Sequence, residues 1–218
     1  MSTKPVALFD MDGVFTHGDT MFELLRSQLL RSPLKIVRAL PFLLKSAFGD
    51  RPTKTKANGR LMEIAVADLT QSQYTALVES TARRLAASNK FVQPDAVAEV
   101  KKHQANGKVL IITGSERQMA RAYLTNLGLT DVDIESSELT FSDSGAKLTA
   151  HLIGPAKVKR LKELAIPFES LPFYTDSRAD LPVARLTAHT TLVNPNAKTR
   201  DAYEREIPNL TVVRWEAK

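Results

Sequence analysis

The sequence predicts an α/β fold in which a parallel, doubly wound sheet is sandwiched between helices, with an all-helical insertion after the first strand. Short apolar runs that end abruptly in polar residues alternate along the chain with stretches of helical periodicity, a pattern typical of parallel sheets. Residues 17–92 interrupt this alternation, because they contain several helical stretches and no clear strand. We therefore expect a core formed by residues 1–16 and 93–218, and a helical cap formed by residues 17–92.

The predicted strands follow one another along the core. The first, Val6–Phe9, runs into the polar loop Asp10-Met11-Asp12-Gly13, and the second, Val109–Ile112, runs into Thr113-Gly114-Ser115. Further strands are predicted at 171–174, 190–193 and 211–215, helices at 95–105, 116–127, 155–165 and 178–187, and a hairpin at 139–141 and 147–152 that turns through Asp143, Ser144 and Gly145.

Composition excludes several classes of protein. Hydrophobic residues make up 43% and charged residues 25% of the 218 residues, which is typical of a globular protein and not of a disordered one. The chain has no cysteine, which excludes a disulfide scaffold, a cysteine-ligated zinc site and a thiol nucleophile. The first residues form no signal peptide, and no apolar run reaches the roughly 20 residues of a membrane-spanning helix. We therefore expect a cytoplasmic protein.

The net charge of +6 is concentrated in one segment. Residues 26–60 hold nine basic residues and one acidic residue, a net charge of +8, so the rest of the chain carries about −2. Ser32-Pro33 is typical of a helix start, and Pro41 predicts either a kink or two shorter helices. On this helix four basic residues form one stripe, and five apolar residues lie opposite it. The stripe consists of Arg31, Lys35, Arg38 and Lys45, and the opposite face of Ile36, Leu40, Leu43, Leu44 and Ala47.

This basic segment has two interpretations. Its apolar face could pack on other cap helices, or its charged surface could meet an anionic membrane or a phosphorylated lipid. A module that binds nucleic acid is a third, non-enzymatic alternative, but Phe42 and Phe48 are the only aromatic residues of the segment available for base stacking. We therefore expect no nucleic-acid partner, and peripheral contact with the inner membrane surface stays an alternative to a purely cytoplasmic location.

Carboxylates collect at the predicted strand ends. Asp10 and Asp12 project to the same side because they are two residues apart, and Asp176 follows the strand at 171–174. The carboxyl ends of parallel strands share one edge of the sheet, where ligands bind. Carboxylate oxygens together with a substrate phosphate suit Mg²⁺. A lone Asp-x-Asp is more often a loop turn, but the polar residues at the other strand ends favour a site.

A phosphate-binding loop is predicted beside these carboxylates. Thr113 and Gly114 precede a predicted helix that Ser115 would cap, with Gln118 as the capping-box partner. A hydroxyl and free backbone N–H groups at a helix start are suited to bind phosphate. The pattern therefore predicts that the segment of Thr113 and Gly114 binds a phosphate group.

Four segments together resemble the haloacid dehalogenase-like superfamily. They occur in the order of that family: Phe9-Asp10-Met11-Asp12-Gly13-Val14, Ile112-Thr113-Gly114-Ser115, Gly154-Pro155-Ala156-Lys157 and Tyr174-Thr175-Asp176-Ser177-Arg178-Ala179-Asp180. The helical insertion after the first strand is similar to that of the phosphoserine-phosphatase-like branch, whose core is Rossmann-like. The cap stretch at 40–45 resembles caps of members that act near membranes, including phosphatidylglycerophosphatases.

The resemblance implies a role for each motif residue. Asp10 would be the nucleophile and Asp12 the general acid and base, while Mg²⁺ would be held by Asp10, the Asp12 backbone carbonyl and Asp176. Thr113, Gly114 and Lys157 would bind the phosphoryl oxygens, with Lys157 favoured over Lys159 by the motif spacing. Asp180 would support the site, or would be only an acidic residue that stabilises a helix start. Two residues depart from the family pattern: Thr175 replaces a usual glycine, and Val14 replaces a common threonine.

These roles imply a Mg²⁺-dependent phosphatase that hydrolyses a phosphate monoester through an aspartyl-phosphate. The expected substrate is a phosphorylated small molecule or a phospholipid. Alternatives are a phosphoserine phosphatase or other small-metabolite phosphatase, a phosphotransferase or phosphomutase, and a non-catalytic membrane-binding module.

Overall fold

The computed structural model of the chain describes residues 5–142 and 145–215. Its strands form one seven-stranded sheet in the order β4-β3-β2-β1-β5-β6-β7. The strands are β1 (Pro5–Phe9), β2 (Lys108–Glu116), β3 (Asp133–Ser142), β4 (Gly145–Ala150), β5 (Pro172–Thr175), β6 (His189–Val193) and β7 (Leu210–Val213). Every neighbouring pair is parallel except β3 and β4. The predicted α/β fold is confirmed.

In the described residues, five helices lie between the first two strands, and four more lie among the remaining strands. The helices are α1 (Thr20–Leu29), α2 (Pro33–Phe48), α3 (Arg51–Val66), α4 (Gln71–Ala86), α5 (Pro94–Gln104), α6 (Arg117–Asn126), α7 (Pro155–Glu163), α8 (Leu181–Ala184) and α9 (Ala197–Glu206). Short 3₁₀ turns cover Phe168–Ser170 and Arg178–Asp180.

The sheet separates two hydrophobic layers. Ala7 and Phe9 of β1 face the layer that contains α5, α6 and helices of residues 20–86, whereas Leu8 faces the layer of α7, α8 and α9. Side chains of β2 alternate in the same way, as the period of two in a strand requires. Burial on both faces explains why the central strands are continuous apolar runs in the sequence. Their polar residues are thereby confined to the strand ends.

The chain runs from the sheet to helices α1–α4 and back again. A short antiparallel bridge joins these two connecting segments. Thr16 pairs with Val92, and the backbone N–H groups of His17 and Gln93 donate to the carbonyls of Phe91 and Phe15 at 2.8 and 2.9 Å. The helices also contact the sheet layer directly, because α4 packs on α6 and α3 packs on β4. The division into a core and a cap at residues 17–92 remains a proposal that this arrangement supports.

Several elements differ from the prediction. Strand β3 is longer than the predicted hairpin arm, since its first half pairs with β2 before its second half pairs with β4. Helix α9 was not predicted, although Asn196 caps it by accepting from the Thr199 N–H at 2.9 Å. The predicted helix at 178–187 is reduced to a 3₁₀ turn and the single turn of α8. Asp143 and Ser144 of the predicted hairpin turn lie outside the described residues.

Helix α2 is oriented opposite to the expectation. It begins after Ser32 and continues through Pro41 as one helix, but the apolar face predicted to pack on other cap helices is exposed, with Leu40 and Leu44 both 54% exposed. Lys35 does not belong to an open basic stripe, because its Nζ donates to the Ala65 carbonyl at 2.7 Å. The expected packing of the apolar face is therefore wrong, and the exposed basic stripe is reduced to Arg31, Arg38 and Lys45. Among the helices of the described residues, none combines the length and the apolar character needed to cross a bilayer.

Candidate active site

Asp10 and Lys157 form the buried centre of the site. Asp10 directly follows β1, and its N–H donates to the Tyr174 carbonyl at 2.8 Å. Lys157 lies in the first turn of α7, and its Nζ is 2.9 Å from Asp10 Oδ1 and 2.8 Å from Asp180 Oδ2. All three residues are buried. Burial lowers the pKa of Lys157, but the charges of Asp10 and Asp180 outweigh this effect and raise it, so the lysine stays protonated.

The alternative lysine points elsewhere. The side chain of Lys159 is 81% exposed and lies 3.7 Å from Glu163, one turn further along α7. The preference for Lys157 rests on the family motif, and the geometry agrees with it. Asp180 accepts from Lys157 at 2.8 Å and from Thr175 Oγ1 at 2.9 Å, contacts that favour the supporting role over a purely acidic residue at a helix start.

Asp12 is held by a different set of partners from Asp10. Its Oδ1 accepts from the Thr20 N–H at 2.7 Å, and its Oδ2 accepts from Ser115 Oγ at 2.5 Å. Burial, and then the charge of Asp19, raise the pKa of Asp12 to about 7 against these hydrogen bonds. The Asp12 carboxyl can therefore exist in both protonation states near neutral pH. That property is expected of a general acid and base.

Asp176 lies against the turn that follows Asp12. A Cβ atom built on Gly13 would be 2.0 Å from Asp176 Oδ2, and Gly13 has a φ of +77°. Only glycine therefore fits at this position, both for the close approach and for the backbone conformation. Burial, and then the charge of Asp180, raise the pKa of Asp176 to about 7. The structure thus brings the predicted carboxylates of β1 and β5 together.

The donor set fits a divalent cation. Burial is the largest cause of the raised pKa of Asp10, and the charges of Asp180 and Asp176 raise it further, while Lys157 opposes them. A cation beside Asp10 and Asp176 would remove this penalty, and oxygen-only ligands suit Mg²⁺. Within residues 5–142 and 145–215, no three His, Cys, Asp or Glu side chains form a metal-binding group. The expected set differs from such a group, since it takes two side chains and the backbone carbonyl of Asp12.

The predicted phosphate-binding residues Thr113 and Gly114 lie within the last four residues of β2. Thr113 is 1% exposed, and its Oγ1 accepts from the Ser115 N–H at 3.0 Å. A Cβ atom on Gly114 would lie 3.0 Å from Ile153 Cγ1, so the loop passes close to the segment that leads into α7 and Lys157. Thr113, Gly114 and Lys157 therefore come from two segments that meet at the same edge of the sheet.

The capping prediction for this loop is wrong. Glu116, not Ser115, caps α6, since its side chain accepts from the Met119 N–H. Strand β2 continues through Glu116, which leaves the Ser115 hydroxyl free to turn toward Asp12. Gln118 bonds to Thr75 of α4 instead, because its Oε1 accepts from Thr75 Oγ1 at 2.8 Å. Ser115 is thus a contact of the expected acid and base.

Two further residues of the site were missed by sequence reasoning. The charge of Asp19 raises the pKa values of Asp12 and Asp176, and Asp19 also caps α1 by accepting from the Phe22 N–H at 2.7 Å. An aspartate directly before an apolar helical stretch is a capping signal, which was available in the sequence. Thr20 was missed because it contacts Asp12 through its backbone N–H, which no side-chain pattern reveals.

Comparison with known proteins decides the family. A family model described as haloacid dehalogenase-like hydrolase matches residues 7–185, which is most of the chain. The chain belongs to the haloacid dehalogenase-like hydrolases. The predicted superfamily is therefore confirmed, and the protein is an enzyme of the hydrolase class. No curated protein matches the sequence.

Solved structures share the fold of this hydrolase at low sequence identity. A protein of unknown function from Bordetella pertussis Tohama I is 18% identical, with a TM-score of 0.76 over 97% of this chain and 99% of that chain. A phosphoserine phosphohydrolase-like protein from Francisella tularensis is 11% identical, with a TM-score of 0.65 over 96% and 95%. A phosphoserine phosphatase with a phospho-aspartyl intermediate analogue is 16% identical, with a TM-score of 0.59 over 96% and 93%.

Proposed function

We propose that this hydrolase is a Mg²⁺-dependent phosphatase that cleaves phosphate monoesters through an aspartyl-phosphate on Asp10. One observation carries the proposal: the two carboxylates of the Asp-x-Asp motif have separate partners. Asp10 is paired with Lys157, whereas Asp12 is bonded to Ser115 and Thr20 and has a pKa near 7. Two carboxyl groups in different environments can take the roles of nucleophile and proton carrier.

In the first step Asp10 attacks phosphorus, and the bond from phosphorus to the leaving oxygen breaks. The protonated Asp12 donates its proton to that oxygen, which leaves as an alcohol. In the second step a water molecule attacks the phosphorus of the aspartyl-phosphate, and Asp12 takes the water proton. The bond between phosphorus and the Asp10 oxygen breaks, inorganic phosphate leaves, and the Asp10 carboxylate is restored. Thr113, Gly114 and Lys157 would hold the other phosphoryl oxygens, where negative charge must be stabilised.

Asp10, the Asp12 carbonyl and Asp176 would hold Mg²⁺. When bound, Mg²⁺ supplies positive charge that neutralises the phosphoryl oxygens and the carboxylates. Asp180 would position Lys157, since the two side chains are 2.8 Å apart. Thr175 in turn supports Asp180 through its hydroxyl.

The proposed substrate is a phosphorylated small molecule or a lipid phosphate. Phosphoserine is the second candidate, because phosphoserine phosphatases are among the proteins that share this fold. A screen of phosphate esters that includes phosphoserine and detergent-solubilised lipid phosphates separates the candidates. Recovery of the phosphoryl group on an added alcohol instead of as inorganic phosphate would identify a phosphotransferase. A peripheral location at the inner membrane surface accompanies the lipid candidate.

Hydrolysis of an activated aryl phosphate tests the chemistry. We expect turnover with Mg²⁺, little turnover in excess chelator, and loss of activity in Asp10→Asn and in Lys157→Met. Lys159→Met is the matched control, because this lysine lies on the same helix and is 81% exposed; it should retain activity. Substantial Mg²⁺-dependent activity in Asp10→Asn, with the fold intact by circular dichroism, would refute the proposal.

A further inference from the structure

The outer surface of α2 is apolar, whereas its inner surface is largely polar or small. We define the α2 outer face as Leu34, Val37, Leu40, Leu44 and Phe48, which are 59%, 68%, 54%, 54% and 86% exposed. At 100° per residue these five positions span about 120° of the helix surface. Leu30, just before the helix, is also 68% exposed. A contiguous exposed apolar surface of this kind marks a contact with a partner or a membrane.

The inner surface of α2 explains why the helix cannot simply rotate to bury these side chains. Lys35 donates to the Ala65 carbonyl at 2.7 Å and also to Asp68. Ser46 donates to Asn58 Oδ1 at 2.5 Å, and Ala39 is fully buried. These contacts fix one side of α2 on and near α3. The outer face is therefore held toward solvent by specific hydrogen bonds on the opposite side.

Positive charge lies along one flank of the outer face. Arg31, Arg38 and Lys45 are all exposed, and in the part of the chain that the structure describes none of them forms an ion pair with an acidic side chain. Helix α2 itself has no acidic residue, and Asp50 just beyond it accepts from the Thr53 N–H at 3.0 Å. The surface is thus apolar in the centre and cationic at one edge. An anionic partner would complement it.

This charge pattern argues against a second copy of the chain as the partner. Two outer faces packed against each other would bring like charges close together, with no carboxylate on α2 to compensate them. An anionic lipid surface supplies both an apolar layer and compensating phosphates. The 16-residue length of α2 and its three basic residues favour a helix that lies in the interface plane over one that spans the bilayer.

We propose that the α2 outer face inserts into the interfacial layer of an anionic lipid bilayer, with the helix axis parallel to the membrane and the three flanking cations directed at lipid phosphates. Long basic side chains can extend along an apolar surface to reach such charges. The binding does not depend on the proposed phosphatase chemistry. A lipid-borne phosphate monoester as the substrate rests on both proposals.

Flotation with vesicles tests the binding. Phosphatidylcholine vesicles with and without phosphatidylglycerol are the probes, at low and high salt. The full chain should float with the anionic vesicles, and salt should weaken but not abolish this binding, because its apolar part is not screened. A Val37→Ser/Leu44→Ser/Phe48→Ser variant should lose about tenfold or more in vesicle affinity. An Arg38→Gln/Lys45→Gln variant should lose affinity at low salt only.

Matched controls separate this surface from general hydrophobicity. Leu164 and Leu186 are 36% and 39% exposed and lie outside the helices of residues 20–86, so Leu164→Ser/Leu186→Ser should bind vesicles like the unaltered chain. The serine and glutamine variants replace exposed side chains, and each should hydrolyse a soluble aryl phosphate at the unaltered rate. The chain has one tryptophan, so Phe48→Trp in a Trp215→Phe background reports insertion directly. Its fluorescence should shift to shorter wavelength with anionic vesicles, whereas a Leu186→Trp reporter should not respond.

Three results would overturn the proposal: no flotation of the full chain at low salt, unchanged flotation of the triple serine variant, or a dimer in solution that the triple serine variant dissociates without any vesicle binding. The last result would assign the face to a second copy. A chain that floats as expected but hydrolyses no phosphate ester would leave this inference standing and refute the proposed function.

Discussion

Thr175 shows how a single hydroxyl orders the acidic strand end. The residue is fully buried, and its Oγ1 donates to Asp180 Oδ2 at 2.9 Å and accepts from the Ser177 N–H at 3.1 Å. It thereby links the strand end to the carboxylate that holds Lys157. At the position where the resembled family usually has glycine, this chain has a residue with a structural task.

We predict that Thr175→Val lowers the free energy of unfolding by about 1–3 kcal/mol, because two buried polar partners lose their hydrogen bonds. It should also lower turnover, since Asp180 then holds Lys157 less firmly. Thr175→Ser keeps the hydroxyl and should retain most of both properties. Urea unfolding and aryl phosphate kinetics measure the two effects. Equal behaviour of the valine and serine variants would contradict this account.

The placement of site side chains was predictable where a motif fixes the spacing and not where the backbone decides; their roles stay predictions. Asp10 and Lys157 are 147 residues apart but lie 2.9 Å from each other, as the motif order implied. The bond from Ser115 to Asp12 was not predicted, because it requires β2 to extend past the expected helix start. The Thr20 contact uses an N–H group that every residue except proline has.

At the scale of elements, a buried pair couples α4 to α6. Tyr74 Oη donates to Glu116 Oε2 at 2.7 Å, and the same oxygen accepts from the Met119 N–H at 3.3 Å. Glu116 is two residues beyond Gly114 in the sequence. The pair therefore connects a helix of residues 20–86 to the start of α6 and to the adjacent phosphate-binding loop.

We predict that Tyr74→Phe lowers the free energy of unfolding by about 1–3 kcal/mol, because the buried Glu116 carboxylate loses a donor. Tyr123→Phe is the control, since its hydroxyl is a buried donor to the Phe15 carbonyl at a longer 3.3 Å and forms no hydrogen bond with a carboxylate of the described residues. Tyr123→Phe should lower the free energy of unfolding by less than Tyr74→Phe does. Urea unfolding at neutral pH compares the two variants. A larger loss in Tyr123→Phe would contradict the assigned coupling.

The pKa of Glu116 makes this element sensitive to pH. Burial is the main cause that raises its pKa above the ordinary value of 4.5. Above pH 4.5, Glu116 therefore keeps its proton more often in the folded state than in the unfolded state. The contribution of Glu116 to stability falls as the pH rises from 4.5 through its raised pKa. Glu116→Gln lacks this titration. The stability of Glu116→Gln relative to the unaltered chain should therefore rise between pH 4.5 and neutral pH. A relative stability that stays constant or falls would contradict it.

The orientation of α2 marks the limit of prediction from periodicity. The sequence correctly indicated its start at Ser32 and its two faces, but it gave the apolar face the wrong environment. A hydrophobic face usually packs inward, and here Lys35 and Ser46 pack inward because they find partners on and beside α3. Such partners lie far away in the sequence. Periodicity shows that two faces exist, and only tertiary contacts decide which one is buried.

At the scale of the whole molecule, the fold concentrates negative charge at one edge of the sheet. Asp10, Asp12, Asp176 and Asp180 come from the ends of β1 and β5, and Lys157 is the cation that contacts two of them. The raised pKa values of Asp10 and Asp176 show that their ionisation is opposed. The folded chain therefore has a destabilising feature that a bound cation would relieve.

We predict that Mg²⁺ raises the thermal midpoint of unfolding. At a Mg²⁺ concentration of roughly 100 times the dissociation constant, the free energy of unfolding should rise by about 2.7 kcal/mol. In chelator, Asp176→Asn should be at least as stable as the unaltered chain, because a carboxyl group whose ionisation is opposed is removed. With Mg²⁺ the order should reverse, since the variant binds the ion poorly. Asp201→Asn, at an exposed position on α9, should show the same Mg²⁺ shift as the unaltered chain. An undiminished shift in Asp176→Asn would contradict the assigned ligand.

The topology was largely predictable because a doubly wound sheet buries its strands on both faces. Apolar runs and polar strand ends then follow in the sequence. Helix α9 and the full length of β3 could not be predicted, since α9 is mostly polar and β3 changes pairing partners along its length. The edge of the sheet is thus less visible in the sequence than its centre.

The central claim is that Asp10 carries the phosphoryl group. The Asp12→Asn variant should accept the phosphoryl group from an aryl phosphate, because that leaving group needs no acid. It should hydrolyse the resulting aspartyl-phosphate slowly, because the base is absent. The decisive measurement is the intact mass of Asp12→Asn after reaction with an aryl phosphate and Mg²⁺ and an acid quench, followed by peptide mapping. We predict one added phosphoryl group, located on Asp10 and absent from Asp10→Asn/Asp12→Asn. A phosphoryl group on another side chain, or an unmodified Asp12→Asn that still turns over, would contradict the account.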